Sequence, residues 1–159
     1  MKARPSKKLT HLNAAGEAHM VDVTTKAVTA RQAKAEARVH MATATAKLIA
    51  KGSAAKGDVL ATARIAGIQG AKRTPELIPL CHGIALTKVT VDFLLRKNVL
   101  VVTATANALD RTGVEMEALV AASTAALTVY DMLKAVDRGM RIEVELSQKS
   151  GGRSGSWSR

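Results

Sequence analysis

An α+β domain, a ferredoxin-like split βαβ whose antiparallel sheet carries helices on one face, is the fold class that three patterns in this chain predict. The segments around Ala33–Met41, Val89–Phe93 and Ile142–Leu146 alternate apolar with polar residues, the period-two mark of a half-buried strand. A β-branched run, VLVVTAT, follows the second of these after a short turn. Helix signals separate the first strand from this pair, and the pair from the last strand, so the order reads β, helices, β, β, helix, β.

In the first strand Ala33, Ala35, Ala37, Val39 and Met41 fall on one side, with Lys34, Glu36, Arg38 and His40 on the other. Alanine locally prefers helix, but a helix here would spread the charges around its whole circumference, so the pattern overrides propensity. Thr43 is placed to cap a short helix ending near Lys51 and Gly52. Asp58 is placed to cap a second, through ATARIAGIQGAKR until Pro75 forbids it. After a loop around Pro79–Gly83, Val89, Val91 and Phe93 alternate with Lys88, Thr90 and Asp92, and Lys97 and Asn98 turn a β-hairpin. Thr112 and Glu115 match the T-x-x-E capping box and open the longest helix, expected to reach about Val136 before Gly139 stops it. Ile142, Val144 and Leu146 make the last strand, and KSGGRSGSWSR beyond it reads as a flexible tail.

With 159 residues and 47% apolar content the chain suits a single domain with one core. The expected folded core covers about residues 9–149, flanked by basic, flexible segments at 1–8 and 150–159. The apolar runs are far too short to cross a bilayer and the N-terminus lacks a signal-peptide stretch, which points to the cytoplasm. The single cysteine, Cys81, excludes an internal disulfide and a multi-cysteine metal site. A net charge of +11, from 24 Lys and Arg against 13 Asp and Glu, favours anionic partners. The only aromatic residues are Phe93, Tyr130 and Trp157, too few for the stacking rings of a single-stranded nucleic-acid groove, which weakens an RNA-binding reading.

Asp131 and Lys134, three positions apart, share one face of the long helix. An exposed ion pair is the commoner use of such spacing. The alternative is a proton-transfer pair, in which a lysine partly desolvated against an alanine-rich surface has a lowered pKa beside an orienting carboxylate. Glu117 points the same way fourteen residues earlier, about 21 Å along a continuous helix, so one small substrate end cannot touch both. Either the substrate is long or a second subunit completes the pocket. Three basic, glycine-bearing segments are candidate phosphate grips: Lys56-Gly57-Asp58, Arg111-Thr112-Gly113, and Lys149 through Arg153 to Gly155. Each is equally an ordinary loop or cap, and none matches the P-loop pattern. Cys81 and His82 are neighbours in an extended segment, where side chains point to opposite sides, so a thiol–imidazole pair is not expected. The four histidines are well separated and lack metal-ligand spacing.

Six collinear segments, LTHLNAAGEAHMVDV, KGDVLATARIAGIQGAKR, LIPLCH, TGVEMEALVAAS, AALTVYDMLKAV and KSGGRSG, closely resemble the MoaC family of cyclic pyranopterin monophosphate synthases over Leu9 to Gly155. The resemblance implies a step of molybdenum-cofactor biosynthesis. A 3′,8-cyclised dihydroguanosine triphosphate is rearranged to cyclic pyranopterin monophosphate, with release of pyrophosphate, by a phosphorus–oxygen lyase. It also implies a homohexamer, a trimer of dimers with interfacial sites, that needs no cofactor and meets Mg²⁺ only on the substrate triphosphate. Residue by residue, it makes Asp131 and Lys134 the catalytic pair. Leu80, Cys81, His82, Met116 and Glu117 stand in the substrate-contacting segments, Lys56, Glu115 and Lys149 at further pocket positions, and Lys26 and Arg31 complete the triphosphate site. Two positions depart from the family pattern: Gly83 replaces the usual proline after LCH, and Asp110-Arg111 replaces a glycine and a basic residue before TGVEMEA.

Overall fold

The computed structural model of the chain describes residues 12, 13 and 15–159. The expectation for the basic residues 1–8 lies outside the described residues. Along the chain come β1 (Thr29–His40), α1 (Thr43–Lys51), α2 (Val59–Lys72), α3 (Thr74–Leu77), β2 (Leu86–Arg96), β3 (Val99–Asp110), α4 (Glu115–Leu133), β4 (Arg141–Ser150) and β5 (Trp157–Ser158). The sheet order is β2-β3-β1-β4-β5 and every neighbouring pair is antiparallel. β3 therefore sits between β1 and β2, and β1 between β3 and β4, which is the split βαβ arrangement twice over.

The period-two pattern of β1 sorts its side chains as expected. Ala33, Ala35, Ala37 and Val39 are buried, and register places them against Ala106, Ala104, Val102 and Leu100 of β3, also buried. Over this surface lies α4, presenting Ala118, Ala121, Ala122, Ala125, Ala126 and Val129, with α2 beside it and over β2. The opposite sheet face is polar and half-exposed. There Arg38 bonds Glu145 at 2.7 Å and Glu36 at 3.2 Å, and His40 meets Glu143 at 3.2 Å. By length and a mean hydropathy of 1.2, α4 alone among the described helices matches a membrane span, but 56% of that stretch is buried in this fold. It is the core helix.

Several local expectations change. Asp58 does cap α2, its carboxylate accepting from the Ala61 amide at 2.9 Å. Thr43 does not cap α1; it is the first helical residue, after Ala42. The free donors there are met instead by Asp137, ninety-five positions downstream, which accepts from the Ala42 amide at 2.8 Å and the Thr45 hydroxyl at 3.0 Å. The capping box of Thr112 and Glu115 is absent, because the N-cap of α4 is Val114, two residues beyond Thr112, which makes Glu115 the first helical residue. α4 ends at Leu133, with Lys134 as its C-cap. The tail expected to be flexible at residues 150–159 folds back: Trp157 and Ser158 pair with Lys149 and Gln148, the Arg159 amide donates to Ser147, and its guanidinium reaches Glu145 at 2.8 Å.

Helix α2 approaches α4 through glycine. A Cβ on Gly67 would stand 2.9 Å from the Ala121 carbonyl oxygen and 3.1 Å from a Val91 methyl, and the former is backbone that cannot swing away. Gly67→Ala is accordingly expected to destabilise the fold by about 1–2 kcal/mol, overpacking outweighing the gain in helix propensity. Thermal or denaturant unfolding measures this, and a stabilised variant would show that the helices part freely.

Candidate active site

At the N-terminal end of α4 the chain buries a carboxylate. Glu117 is 2% exposed and its Oε2 has no hydrogen-bond partner among the described residues. It faces a cavity of about 270 Å³ walled by Leu80, Cys81, His82, Met116 and Lys26 among others. His82 donates from Nε2 to the Val21 carbonyl at 2.9 Å, which leaves Nδ1 for a ligand. Burial, and secondarily Glu117, pushes the Cys81 thiol up, so it stays protonated. Cys81 and His82 line the same cavity rather than opposite sides, because residues 81–85 form an irregular loop. The thiol's raised pKa and the imidazole's bond to Val21 still leave them unpaired as nucleophile and base.

Burial also dominates Glu117 itself, raising its pKa from 4.5 to about 7; a backbone hydrogen bond opposes the rise, and the smaller repulsions of Glu115 and Asp110 add to it. A carboxyl group poised this way can hold a proton when the cavity is empty and accept ring N–H groups when ionised.

A second cavity, of about 600 Å³, adjoins the first and shares Lys26, Thr112, Gly113 and Glu115 with it. Its lining brings four cationic side chains together: Lys26, Arg31, Arg111 and Arg153. Arg31 donates to the carbonyls of Asp110 and Arg111, both at 3.1 Å, and Arg111 donates to the Lys26 carbonyl at 3.1 Å, so the cluster braces its own walls. The Arg31 guanidinium lies so close to Gly152 that a Cβ there would overlap it, at 1.5 Å, and the φ of +69° at Gly152 independently favours glycine. Lys149 turns its ammonium into this loop, donating to Ser154 Oγ and to the Gly155 carbonyl at 2.9 Å. Such an arrangement attracts a polyanion.

The C-terminal end of α4 carries a separate cluster. Lys134 Nζ stands 2.6 Å from Asp131 Oδ1, while Lys56 Nζ stands 3.3 Å from Asp131 Oδ2 and donates to the Asp131 carbonyl at 3.0 Å. Lys134 and Lys56 together hold the Asp131 carboxyl below its usual range, Lys134 contributing most. The lowered pKa expected for Lys134 is reversed. Its hydrogen bond to Asp131 and the carboxylate's charge raise the pKa, and with 52% of the side chain in water the opposing desolvation is the smaller effect. A charged lysine held by an ionised carboxylate can donate a proton to a substrate atom.

The candidates therefore gather in two groups. Lys26, Arg31, Leu80, Cys81, His82, Glu115, Met116, Glu117 and Lys149 lie at one end of α4, and Lys56, Asp131 and Lys134 at the other, about 21 Å away by helical rise. Arg111 and Arg153 belong to the glycine-bearing basic segments but carried no individual role in the sequence. The cavity hydroxyls of Thr25, Thr29 and Ser150 had no sequence signal, since Thr25 precedes β1, Thr29 begins it and Ser150 ends β4, and only the fold brings them to one cavity. Among the described residues no three His, Cys, Asp or Glu side chains gather as metal ligands.

Residues 20–152 match the MoaC family. Proteins named cyclic pyranopterin monophosphate synthase are similar over nearly the whole chain. One from Rhodopirellula baltica is 54% identical, covering 98% of this chain and 96% of the relative. Another from Streptomyces coelicolor is 54% identical over 98% and 92%, and a third from Thermomicrobium roseum is 57% identical over 95% and 93%.

Glu117 makes stability depend on pH. In the unfolded chain it ionises near 4.5, whereas in the fold it holds its proton to about 7, so the fold binds the extra proton between these values. Its stabilising contribution is complete below the unfolded value and is lost as pH rises through about 7, a cost on the order of 3 kcal/mol when the empty pocket holds the anion. Glu117→Gln removes this dependence. Unfolding free energies of the two proteins should diverge in favour of the variant as pH rises from about 5 to 8, and parallel curves would show that Glu117 ionises normally.

Proposed function

We propose that this chain, which belongs to the MoaC family, is a cyclic pyranopterin monophosphate synthase that converts 3′,8-cyclised dihydroguanosine triphosphate to cyclic pyranopterin monophosphate and pyrophosphate. The observation that carries the chemistry is the junction of a cationic cavity with the buried Glu117 pocket. A nucleotide-derived substrate needs both: a polyanion grip beside a recess for a polar ring.

On this reading the triphosphate lies among Lys26, Arg31, Arg111 and Lys149, and Glu117 and His82 hold the purine-derived ring. Lys134 donates protons and, once neutral, takes them back, with Asp131 holding its ammonium in place, during ring opening and pterin closure. A ribose hydroxyl then attacks the α-phosphorus. Its proton passes to a base as the bond to pyrophosphate breaks, which closes the cyclic phosphate.

The separation along α4 bears on assembly. Since one substrate cannot bridge about 21 Å, the Lys56–Asp131–Lys134 cluster of one chain completes the Glu117 pocket of another, in a homohexamer built as a trimer of dimers. The enzyme acts in the cytoplasm on a small molecule, without nucleic acid or membrane, and needs no cofactor of its own. Any Mg²⁺ arrives on the triphosphate.

Incubation with the cyclised nucleotide, following released pyrophosphate and pterin fluorescence after oxidation, tests the assignment. Lys134→Ala should lower turnover by about 10²–10⁴-fold with the oligomer intact, and near-wild-type turnover would remove Lys134 from the chemistry. Affinity for the triphosphate should also fall as salt rises, since its grip is largely exposed charge; salt-independent binding would contradict the cationic cavity as its site.

A further inference from the structure

Helix α1 is loosely held. It makes only sparse contacts with the other elements, and its buried residues are Thr45, Ala46 and Ile49. Yet it leads through the left-handed Gly52 cap into residues 53–57, the loop that presents Lys56 to Asp131. Lys56 lies between α1 and the capped start of α2, so the placement of α1 against the end of α4 is one of two restraints on it.

The turn after α4 fixes that placement. Its backbone is anchored to the helix, with the Lys134 amide donating to Tyr130 at 2.8 Å and the Asp137 amide to Leu133 at 3.1 Å, and the Tyr130 hydroxyl donates to Arg138 at 3.1 Å. From that turn the Asp137 carboxylate spans to α1. One oxygen accepts from the Ala42 amide and from the buried Thr45 hydroxyl, and the other accepts from the Gly139 amide at 3.1 Å, which holds the carboxylate in its own turn. A carboxylate at the N-terminus of α1 also meets the positive end of the helix dipole. These bonds, the Ala42 amide foremost, keep Asp137 below the usual carboxylate range and so ionised near neutrality.

The contacts close a ring: Asp131 and Lys134 at the end of α4, Asp137 in the turn, α1, then Lys56 back to Asp131. We propose that Asp137 is a positioning residue for the reaction, acting through α1 to hold Lys56 against the Asp131–Lys134 pair. This rests on the reading of that cluster as the catalytic end. It assigns Asp137 no contact with substrate.

The test combines kinetics with amide hydrogen exchange on the full chain, for wild type, Asp137→Ala, Asp137→Asn and Thr45→Val. Asp137→Ala should lower kcat about tenfold or more, since small misplacements of catalytic groups are costly. KM should change less than kcat, because the cations assigned to the triphosphate, Lys26, Arg31, Arg111 and Lys149, lie outside this ring of contacts. Amides of residues 53–56 should exchange faster in the same variant. Asp137→Asn keeps an oxygen acceptor for Ala42 and Thr45 and should rescue part of both losses, while Thr45→Val, which leaves the Ala42 bond, should show a smaller loss of each. Should Asp137→Ala fail to fold, these two milder variants carry the same ordering. Lowered kcat with unchanged loop exchange, or faster exchange with unchanged kcat, overturns the role of Asp137. An inactive wild type would instead overturn the reading of the site, with the exchange data still reporting the tether.

Discussion

The close seating of α4 on the sheet is the constraint from which the rest follows. Alanine meets alanine across that contact, Ala118, Ala121, Ala122, Ala125 and Ala126 above and Ala33, Ala35, Ala37, Ala104 and Ala106 below, so the backbones approach closely with no long side chain to adjust. A contact of this kind tolerates little sliding, and α2 narrows the options further through Gly67 and Gly70, whose added Cβ atoms would meet Ala121 and Thr124. A helix held so firmly serves as a rigid rod. Whatever stands at its two ends is held at a set separation and a set angle.

The two ends differ in their electrostatics. At the first, burial works against charge and raises the pKa of Glu117 to about 7, while exposed cations crowd the adjoining cavity. At the second, solvent and proximity work with charge, so that Asp131 is stabilised as an anion and Lys134 as a cation. One end suits recognition of a polar ring and a polyanion, the other the movement of protons. In one chain they are too far apart to cooperate on a single small molecule. A neighbouring chain is the simplest way to bring unlike ends together.

Much of this was legible in the sequence, and the parts that were not share a physical cause. Strict alternation through Ala33 to Val39 outweighed the helix propensity of alanine because burial on one face is worth more than local preference. Asp58 was readable as a cap because its acceptor serves an amide three residues away. The start of α1 was not, because its cap is Asp137, whose proximity depends on the whole path of α4. Residues 157–158 pair for too short a length to leave a pattern, so the glycine-rich segment before them reads as a tail when it is in fact a wall of the cationic cavity. The spacing of Asp131 and Lys134 located the pair correctly. Spacing does not reveal the exposure at the helix end, which leaves the hydrogen bond to Asp131 to set the direction of the lysine's shift.

The central claim is that unlike ends of two α4 helices make one active site, and mixing two inactive variants addresses it most directly. Glu117→Ala damages one end and Lys134→Ala the other. Co-assembled at equal amounts, they should regain about a quarter of wild-type turnover, because mixed pairs contain one site with both ends intact. If co-assembled oligomers containing both variants remain as inactive as either alone, the two residues serve a site within a single chain, and the account fails.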